Sequence, residues 1–184
     1  MKNALLIDLG GTNIRYASFI ENTLSEISKE KIADKDFISF LAKLLEEEKN
    51  EIDCLVIAAA GPNNRSSINL TNRDLLIDAS ELKTKLNLKE CLLLNDWEAV
   101  AQSLSEIHQE CFLPIKSGAP SNENTILIGP GTGLGVTLII NGQIIPTEFG
   151  NTISPTKSML ENFDLRDNEK FFSLENILSG PGIE

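Results

Sequence analysis

The sequence has few basic residues, cysteines or aromatic side chains. Its 184 residues include 16 Lys and Arg against 27 Asp and Glu, which gives a net charge of −11 and a pI near 4.6. Nucleic-acid backbones are bound mainly by Lys and Arg, and anionic membrane surfaces attract the same residues. The charge therefore argues against nucleic acid and against membranes as partners.

Long apolar runs are also lacking. No stretch approaches the roughly 18 apolar residues that a membrane-spanning helix needs, and the amino terminus shows no signal-peptide pattern. The three cysteines, Cys54, Cys91 and Cys111, form no CxxC pair. The sequence therefore predicts reduced, mostly buried thiols without a zinc site, in a cytoplasmic protein.

A glycine turn near the amino terminus is the strongest pattern that is present. Apolar residues 4–7 and 14–20 flank residues 8–13 (DLGGTN), which predicts two strands joined by a tight turn whose paired glycines take unusual backbone angles. Backbone N–H groups in such a turn can surround an anion, and the Asp8 carboxylate can hold a hydrated divalent cation. The run is a candidate phosphate loop, with an ordinary glycine hairpin as the alternative.

Helix and strand patterns alternate after this turn. Residues 53–60 form an apolar run that is typical of a strand in a sheet covered on both faces. Ser80 is the predicted cap of a short helix over residues 81–86. An earlier helix is predicted from apolar residues at helical spacing, namely Phe37, Phe40, Leu41, Leu44 and Leu45.

Asp96 occupies the junction between two predicted elements. Apolar residues 91–94 predict a strand, and apolar side chains at helical spacing follow from Trp97. In α/β folds the carboxyl end of a strand is where ligands bind. The dipole of the following helix is expected to help keep Asp96 ionised.

The opening pattern returns about 120 residues later as an internal duplication. Apolar residues 126–128 and 136–140 flank residues 129–135 (GPGTGLG), and Asn141-Gly142 predicts a further hairpin. The alternating glycines are followed by a strand pattern instead of a helix, so they form no dinucleotide fingerprint, and no Walker-type Gly-Lys-Ser/Thr occurs.

Four motifs occur in an order and at spacings that resemble bacterial glucokinase, a sugar kinase of the hexokinase, actin and Hsp70 superfamily. They are Asp8-x-Gly10-Gly11-Thr12-Asn13, Leu94-Asn95-Asp96-x-x-Ala99-Val100-Ala101, Gly129-x-Gly131-Thr132-Gly133-Leu134-Gly135 and Leu178-Ser179-Gly180-Pro181-Gly182. The resemblance covers the whole chain. It implies an α/β, ribonuclease H-like, actin-type ATPase fold of mixed sheets with glycine hairpins. A small domain would span residues 1–110, and residues 111–184 would be the first part of a larger domain.

The resemblance also implies an activity, the ATP-dependent phosphorylation of the 6-hydroxyl of glucose with Mg²⁺, which is the first step of glycolysis. Asp96 is then the general base that takes the hydroxyl proton. The implied ligands of the hexose are Asn95, Asp96, Glu148, Asn151 and Glu175. The implied phosphate-binding residues are Asp8, Gly10, Gly11, Thr12 and Asn13 in the first turn and Gly131, Thr132 and Gly133 in the second. Asp8 would also hold Mg²⁺ through water.

Two departures from the family pattern stand out. Asn151 replaces the histidine that commonly follows Glu-x-Gly, so this position exchanges hydrogen bonds but is never cationic. Family members are also much longer, and this chain ends at Glu184, just past Gly182. It is therefore expected to be an N-terminal portion with little or no kinase activity alone, and a homodimer remains open for the full-length protein.

Two other interpretations remain. A non-catalytic sugar sensor would be related to sugar-responsive repressors, although those usually carry a helix-turn-helix and a cysteine-rich zinc motif. A structural ATPase of the actin or Hsp70 type is the other, and Asn95-Asp96 with the later glutamates favours a sugar kinase over it. The sequence leaves open whether glucose, mannose or an amino sugar is the preferred hexose.

Overall fold

The computed structural model describes residues 3–31, 36–64, 66–70, 75–119, 123–153, 156–162, 164 and 171–183. The chain divides into two units, Met1–Ala99 and Val100–Glu184. The domain boundary between residues 110 and 111 remains a prediction. The elements from the start of the chain through the end of the third helix are β1 (Ala4–Leu9), β2 (Asn13–Ile20), β3 (Thr23–Leu24), β4 (Ser28–Lys31), α1 (Phe37–Glu47), β5 (Cys54–Ala59), β6 (Ser67–Asn69), β7 (Leu76–Asp78), α2 (Ala79–Lys85), β8 (Glu90–Asn95) and α3 (Asp96–Ser103).

The first unit is built on a six-stranded mixed sheet. Strands β1 and β2 form the predicted antiparallel hairpin, and β5 and β8 extend the sheet from β1 as parallel strands. The strand order is β3-β2-β1-β5-β8, with β4 also paired to β2. Because β1, β5 and β8 run the same way, their carboxyl ends lie at one edge of the sheet. The glycine turn and Asp96 both follow strands that end at this edge.

The sheet of the first unit is closed on one face. Leu55, Ile57 and Ala59 of β5 are completely buried, whereas Val56 on the opposite face is half-buried and Leu92 of β8 is 45% exposed. Cys54, on the same face as Val56, is only 5% exposed, so the second face is unevenly covered and the expected cover on both faces stays a prediction. The closed face packs against helix residues that include Phe37, Phe40, Leu41, Leu44 and Leu82.

The first two helices begin at aspartate caps. Asp36 accepts a hydrogen bond from the N–H of Ile38 at 3.2 Å and begins α1, whose apolar face is the predicted one. Asp78 accepts from the N–H of Glu81 at 2.8 Å and begins α2. The prediction that Ser80 caps this helix is wrong, since the aspartate two residues earlier takes the free N–H group.

The second unit contains a three-stranded antiparallel sheet with the order β11-β10-β9. The turn between β9 and β10 is the predicted second glycine turn, and Asn141 and Gly142 join β10 to β11 with positive φ angles of 50° and 76°. The elements of this unit are β9 (Thr125–Pro130), β10 (Leu134–Ile140), β11 (Gln143–Thr147), α4 (Thr156–Asn162), α5 (Leu174–Leu178) and α6 (Gly180–Ile183).

The three cysteines differ in how deeply they are buried. Cys54 is buried, Cys91 is half-buried and Cys111 is exposed, and all three are free thiols. The expectation of mostly buried thiols is therefore wrong for Cys111.

Within the described ranges, every helix is too short or too polar to cross a bilayer.

Candidate active site

The first glycine turn needs a glycine at position 10 because the backbone passes close to itself there. A positive φ angle is not the reason. The N–H of Gly10 donates to the carbonyl of Asn13 at 2.9 Å. Gly10 has no positive φ, but a Cβ added there would lie 3.3 Å from the same carbonyl oxygen. Gly11 and Thr12 are exposed at the tip of the turn. The tip of the turn is therefore exposed to solvent, and the reason for glycine at position 10 is a close backbone approach.

Asp8 is paired with Arg15 across the hairpin. The two residues are register partners in β1 and β2, so their side chains share one face of the sheet. Arg15 Nη1 donates to Asp8 Oδ2 at 2.7 Å, and both side chains are about half exposed. An exposed ion pair of this kind is worth at most about 1 kcal/mol, so a ligand can replace Arg15 at low cost.

Asn95 and Glu98 form a reciprocal cap at the start of α3. Asn95 Oδ1 accepts from the N–H groups of Trp97 at 3.0 Å and Glu98 at 3.3 Å. Glu98 Oε2 in turn accepts from the N–H of Asn95 at 3.1 Å. This capping-box arrangement satisfies N–H groups that a helix start leaves unpaired. It fixes the direction in which the chain leaves β8, and therefore the position of Asp96.

The other side of the Asn95 amide is tied to the loop after β5. Its Nδ2 donates to the carbonyl of Gly61 at 3.3 Å, and Asn63 Nδ2 donates to the carbonyl of Leu93 at 2.8 Å. Gly61 has a φ of 155°, and a Cβ there would lie 2.2 Å from the carbonyl oxygen of Asn69. The buried Asn95 side chain is therefore part of the local fold, and its role as a hexose ligand, which the resemblance implies, stays a prediction.

The environment of Asp96 raises the pKa of its carboxyl group. Desolvation is the largest cause, and the negative charge of Asp8 raises the pKa further. The N–H of Trp97, which donates to Asp96 Oδ1 at 2.9 Å, lowers it. The expected stabilisation of the ionised form by the helix N-terminus is thus present but outweighed by burial. A carboxylate with a raised pKa is a stronger proton acceptor.

The negative charge of Asp8 raises the pKa of Asp96, so the two carboxylates share one electrostatic environment. Mg²⁺ in kinase sites is usually held by one or two carboxylates, by waters and by substrate phosphates. Among the described residues no group of three or more His, Cys, Asp and Glu could hold a metal ion. Asp8, whose carboxylate is about half exposed, is a donor compatible with a hydrated Mg²⁺.

The second glycine turn is held by hydrogen bonds from two sides. Within the turn, the N–H of Gly131 donates to the carbonyl of Gly133 at 2.8 Å. The N–H of Gly180 donates to the carbonyl of Gly131 at 2.8 Å, and the N–H of Leu134 donates to Glu175 Oε2 at 2.9 Å. Thr132 is exposed at the tip. The structure therefore brings Glu175 and the Ser-Gly-Pro-Gly motif to this turn.

Glu148 and Asn151 lie together at the end of β11. Glu148 precedes a short 3-10 turn over Phe149–Asn151, of which Asn151 is the last residue, and Asn151 Nδ2 donates to Glu148 Oε2 at 3.4 Å. Both side chains are exposed. Gly150 between them is buried, and a Cβ there would lie 2.5 Å from the carbonyl of Leu134. The pair therefore offers a carboxylate and an amide on a backbone that is packed against β10.

Three residues of this environment escaped the sequence-based predictions. Arg15 pairs with Asp8, Glu98 completes the helix cap, and Gly61 bonds to Asn95. The Asn-x-x-Glu spacing after a strand indicates a capping box and was the available signal for Glu98. The Arg15 and Gly61 contacts depend on strand register and loop path, for which the sequence carries no local signal.

The fold is that of an actin-type ATPase. Its features are two sheets with glycine turns, an aspartate at the end of a parallel strand and a helix that follows this aspartate. The sequence matches the glucokinase family over residues 5–184, and the chain belongs to that family. A glucokinase of Pseudomonas paraeruginosa is 29% identical over 197 residues, which include 98% of this chain and 57% of the relative.

Solved structures agree with this fold. A glucokinase from an Antarctic psychrotroph matches with a TM-score of 0.79 and 25% identity, over 100% of this chain and 62% of the other. A glucokinase from Balamuthia mandrillaris, solved in complex with glucose, matches with a TM-score of 0.69 and 22% identity, over 98% and 60%. The chain therefore spans somewhat more than half the length of these three glucokinases.

Proposed function

We propose that this chain is the N-terminal portion of a glucokinase and binds the hexose and the phosphates of ATP. Its family membership supports the activity, and its share of the relatives' length, 57% for the Pseudomonas paraeruginosa enzyme, supports the partial nature of the chain. The domain boundary at residues 110 and 111 belongs to this proposal. So do a cytoplasmic location and the use of ATP with Mg²⁺.

The observation that carries the proposal is the environment of Asp96. Its carboxylate follows the carboxyl end of a parallel strand, it is partly desolvated, and its pKa is raised. The first glycine turn follows β1 at the same edge of the sheet. A proton acceptor beside a phosphate-binding turn is the combination that transfer of a phosphoryl group to a hydroxyl requires.

In the proposed reaction, Asp96 accepts the proton of the C6 hydroxyl while the hydroxyl oxygen attacks the γ-phosphorus of ATP. The bond between the γ-phosphorus and the β–γ bridging oxygen breaks, so glucose 6-phosphate and ADP are released. Bound Mg²⁺ supplies positive charge to the transferring phosphoryl group. Asp8 is the proposed metal ligand, and the tips of the two glycine turns are the proposed phosphate-binding segments.

The proposed ligands of the sugar hydroxyls are Asn95, Asp96, Glu148, Asn151 and Glu175. Carboxylates accept hydrogen bonds from hydroxyl groups, and an amide both donates and accepts. The exposed pair of Glu148 and Asn151 supports this role. Asn95 contributes by fixing the position of Asp96, because its amide bonds to α3 and to Gly61.

A sensitive assay of glucose 6-phosphate formation tests the proposal. The chain is incubated with glucose, ATP and Mg²⁺, and the Asp96→Asn variant is the matched control. We expect glucose-dependent turnover well below the about 1–100 s⁻¹ of complete kinases, and Asp96→Asn should remove it.

The outcomes separate the candidate functions. Turnover within the range of complete kinases would contradict the proposal that the chain is only a portion. Turnover that survives in Asp96→Asn would contradict the role of Asp96. Glucose binding without turnover in the full-length protein as well as in this chain would favour the non-catalytic sugar sensor, because little or no turnover by the portion alone is expected of either function.

A further inference from the structure

We propose that Glu175 is a positioning residue of the second glycine turn, in addition to its proposed contact with the hexose. The N–H of Leu134, the first residue of β10, donates to Glu175 Oε2 at 2.9 Å. The two residues are 41 positions apart in the chain. The ligand of the turn rests on the proposed function, whereas the contact itself does not depend on it.

The fit between the carboxylate and the turn is close. A Cβ added at Gly133 would lie 2.6 Å from Glu175 Oε2 and 3.2 Å from Cδ. The Glu175 carboxylate therefore occupies the space that a side chain at position 133 would need. The contact between the turn and Glu175 therefore requires a glycine at position 133.

The position of Glu175 is itself fixed by hydrogen bonds. Ser173 and Asn176 form a capping box at the start of α5, and the N–H of Ser179 donates to the carbonyl of Glu175 at 3.0 Å. The N–H of Gly180, just beyond, donates to the carbonyl of Gly131 at 2.8 Å. One short segment therefore holds both ends of the glycine turn, at Gly131 and at Leu134.

Glu175 has a second carboxylate oxygen, Oε1, which links the contact with Leu134 to the proposed sugar site. Glu175 Oε1 accepts no hydrogen bond from the residues that the structure describes. A carboxylate can accept at both oxygens, so Oε1 can bind a hexose hydroxyl while Oε2 holds Leu134. A bound hexose then restrains the group that holds the phosphate-binding turn, and the sugar and the turn become coupled through one side chain.

Hydrogen exchange of the Leu134 amide, followed by NMR in the 184-residue chain, tests the contact without any ligand. Glu175→Ala removes the acceptor, whereas Glu175→Gln keeps an oxygen of the same reach. Glu161→Gln alters an exposed carboxylate on α4 and is the matched control. We expect Glu175→Ala to accelerate exchange at Leu134 about tenfold or more, with Glu175→Gln closer to the parent chain and the control unchanged.

Exchange at a second amide separates positioning from general loosening. Exchange at Val136, in the middle of the hairpin, should remain unchanged in Glu175→Ala. Unchanged exchange at Leu134, or equal acceleration at both amides, would overturn the proposal. Because no hexose or nucleotide is present, failure of the proposed function would not produce either result.

Discussion

The negative charge of Asp8 raises the pKa of Asp96, although the two residues belong to different strand ends of the first unit. Asp8 precedes the first glycine turn, and Asp96 follows β8. The residue proposed to bind Mg²⁺ therefore also tunes the residue proposed to accept the proton. This relationship is electrostatic, so it can be measured without substrate.

Replacing Asp8 by Asn should lower the pKa of Asp96. The substitution removes a nearby negative charge and releases Arg15 from its ion pair, and both changes favour the ionised form of Asp96. An NMR titration of the Asp96 carboxyl carbon measures the shift. Asp53→Asn is the matched control, because Asp53 pairs with Lys89 at the other end of β5. An unchanged or higher pKa in Asp8→Asn would contradict the coupling.

Asp96→Asn should stabilise the chain at neutral pH. The folded chain holds the Asp96 proton more tightly than the unfolded chain does, so ionisation of this group disfavours folding at pH values above its raised pKa. This penalty disappears as the pH falls below the ordinary aspartate pKa near 3.8. Urea unfolding at pH 7 and at pH 4 measures the difference. A variant that is less stable at pH 7, or equally stabilised at both pH values, would count against the raised pKa.

Asn95→Ala should lower the free energy of unfolding by about 1–2 kcal/mol, because it removes the helix cap and the bond to Gly61. Glu98→Ala should cost less, about 0.5–1 kcal/mol, since it removes one acceptor of the same cap. Gln102→Ala, on the exposed side of α3, is the control. Denaturant unfolding measures all three, and a larger loss in Glu98→Ala than in Asn95→Ala would reverse the predicted order.

Two threonines of the second unit should respond in opposite directions to valine. Thr137 is completely buried in β10, and its hydroxyl has no partner among the residues described. Thr147 Oγ1 donates to the carbonyl of Val136 at 2.7 Å. Thr137→Val should therefore raise the free energy of unfolding by about 1 kcal/mol, and Thr147→Val should lower it by about 1 kcal/mol. Thermal unfolding measures both variants. Destabilisation by Thr137→Val would show that the Thr137 hydroxyl has a hydrogen-bond partner in the folded chain.

Much of the fold could be predicted from local patterns. Apolar periodicity and glycine runs located both hairpins, the first helix and the strand before Asp96, because these signals lie within short windows. The uneven cover of the two faces of the first sheet could not be predicted, since it depends on which elements return to pack on β5. The cap at Asp78 was missed because Ser80 and Asp78 are both good cap residues.

The sequence predicted which residues form the candidate site. It did not predict the contacts between these residues. Motifs located Asp8, Asp96 and the glycine turns. The pKa of Asp96 reflects burial and a charge on another strand, which no local pattern encodes. The bond from Leu134 to Glu175 likewise joins segments 41 residues apart. Sequence motifs therefore named Glu175 as a sugar ligand, while its contact with the turn became visible only in the fold.

Calorimetric titration of the 184-residue chain with glucose is the most direct test of the central claim, that the chain binds a hexose through its family motif residues. Glu148→Ala is the test variant, and Glu161→Ala, an exposed glutamate on α4, is its control. We expect saturable binding that Glu148→Ala weakens and Glu161→Ala leaves unchanged. No heat at millimolar glucose from a folded chain, or equal binding by both variants, would contradict it.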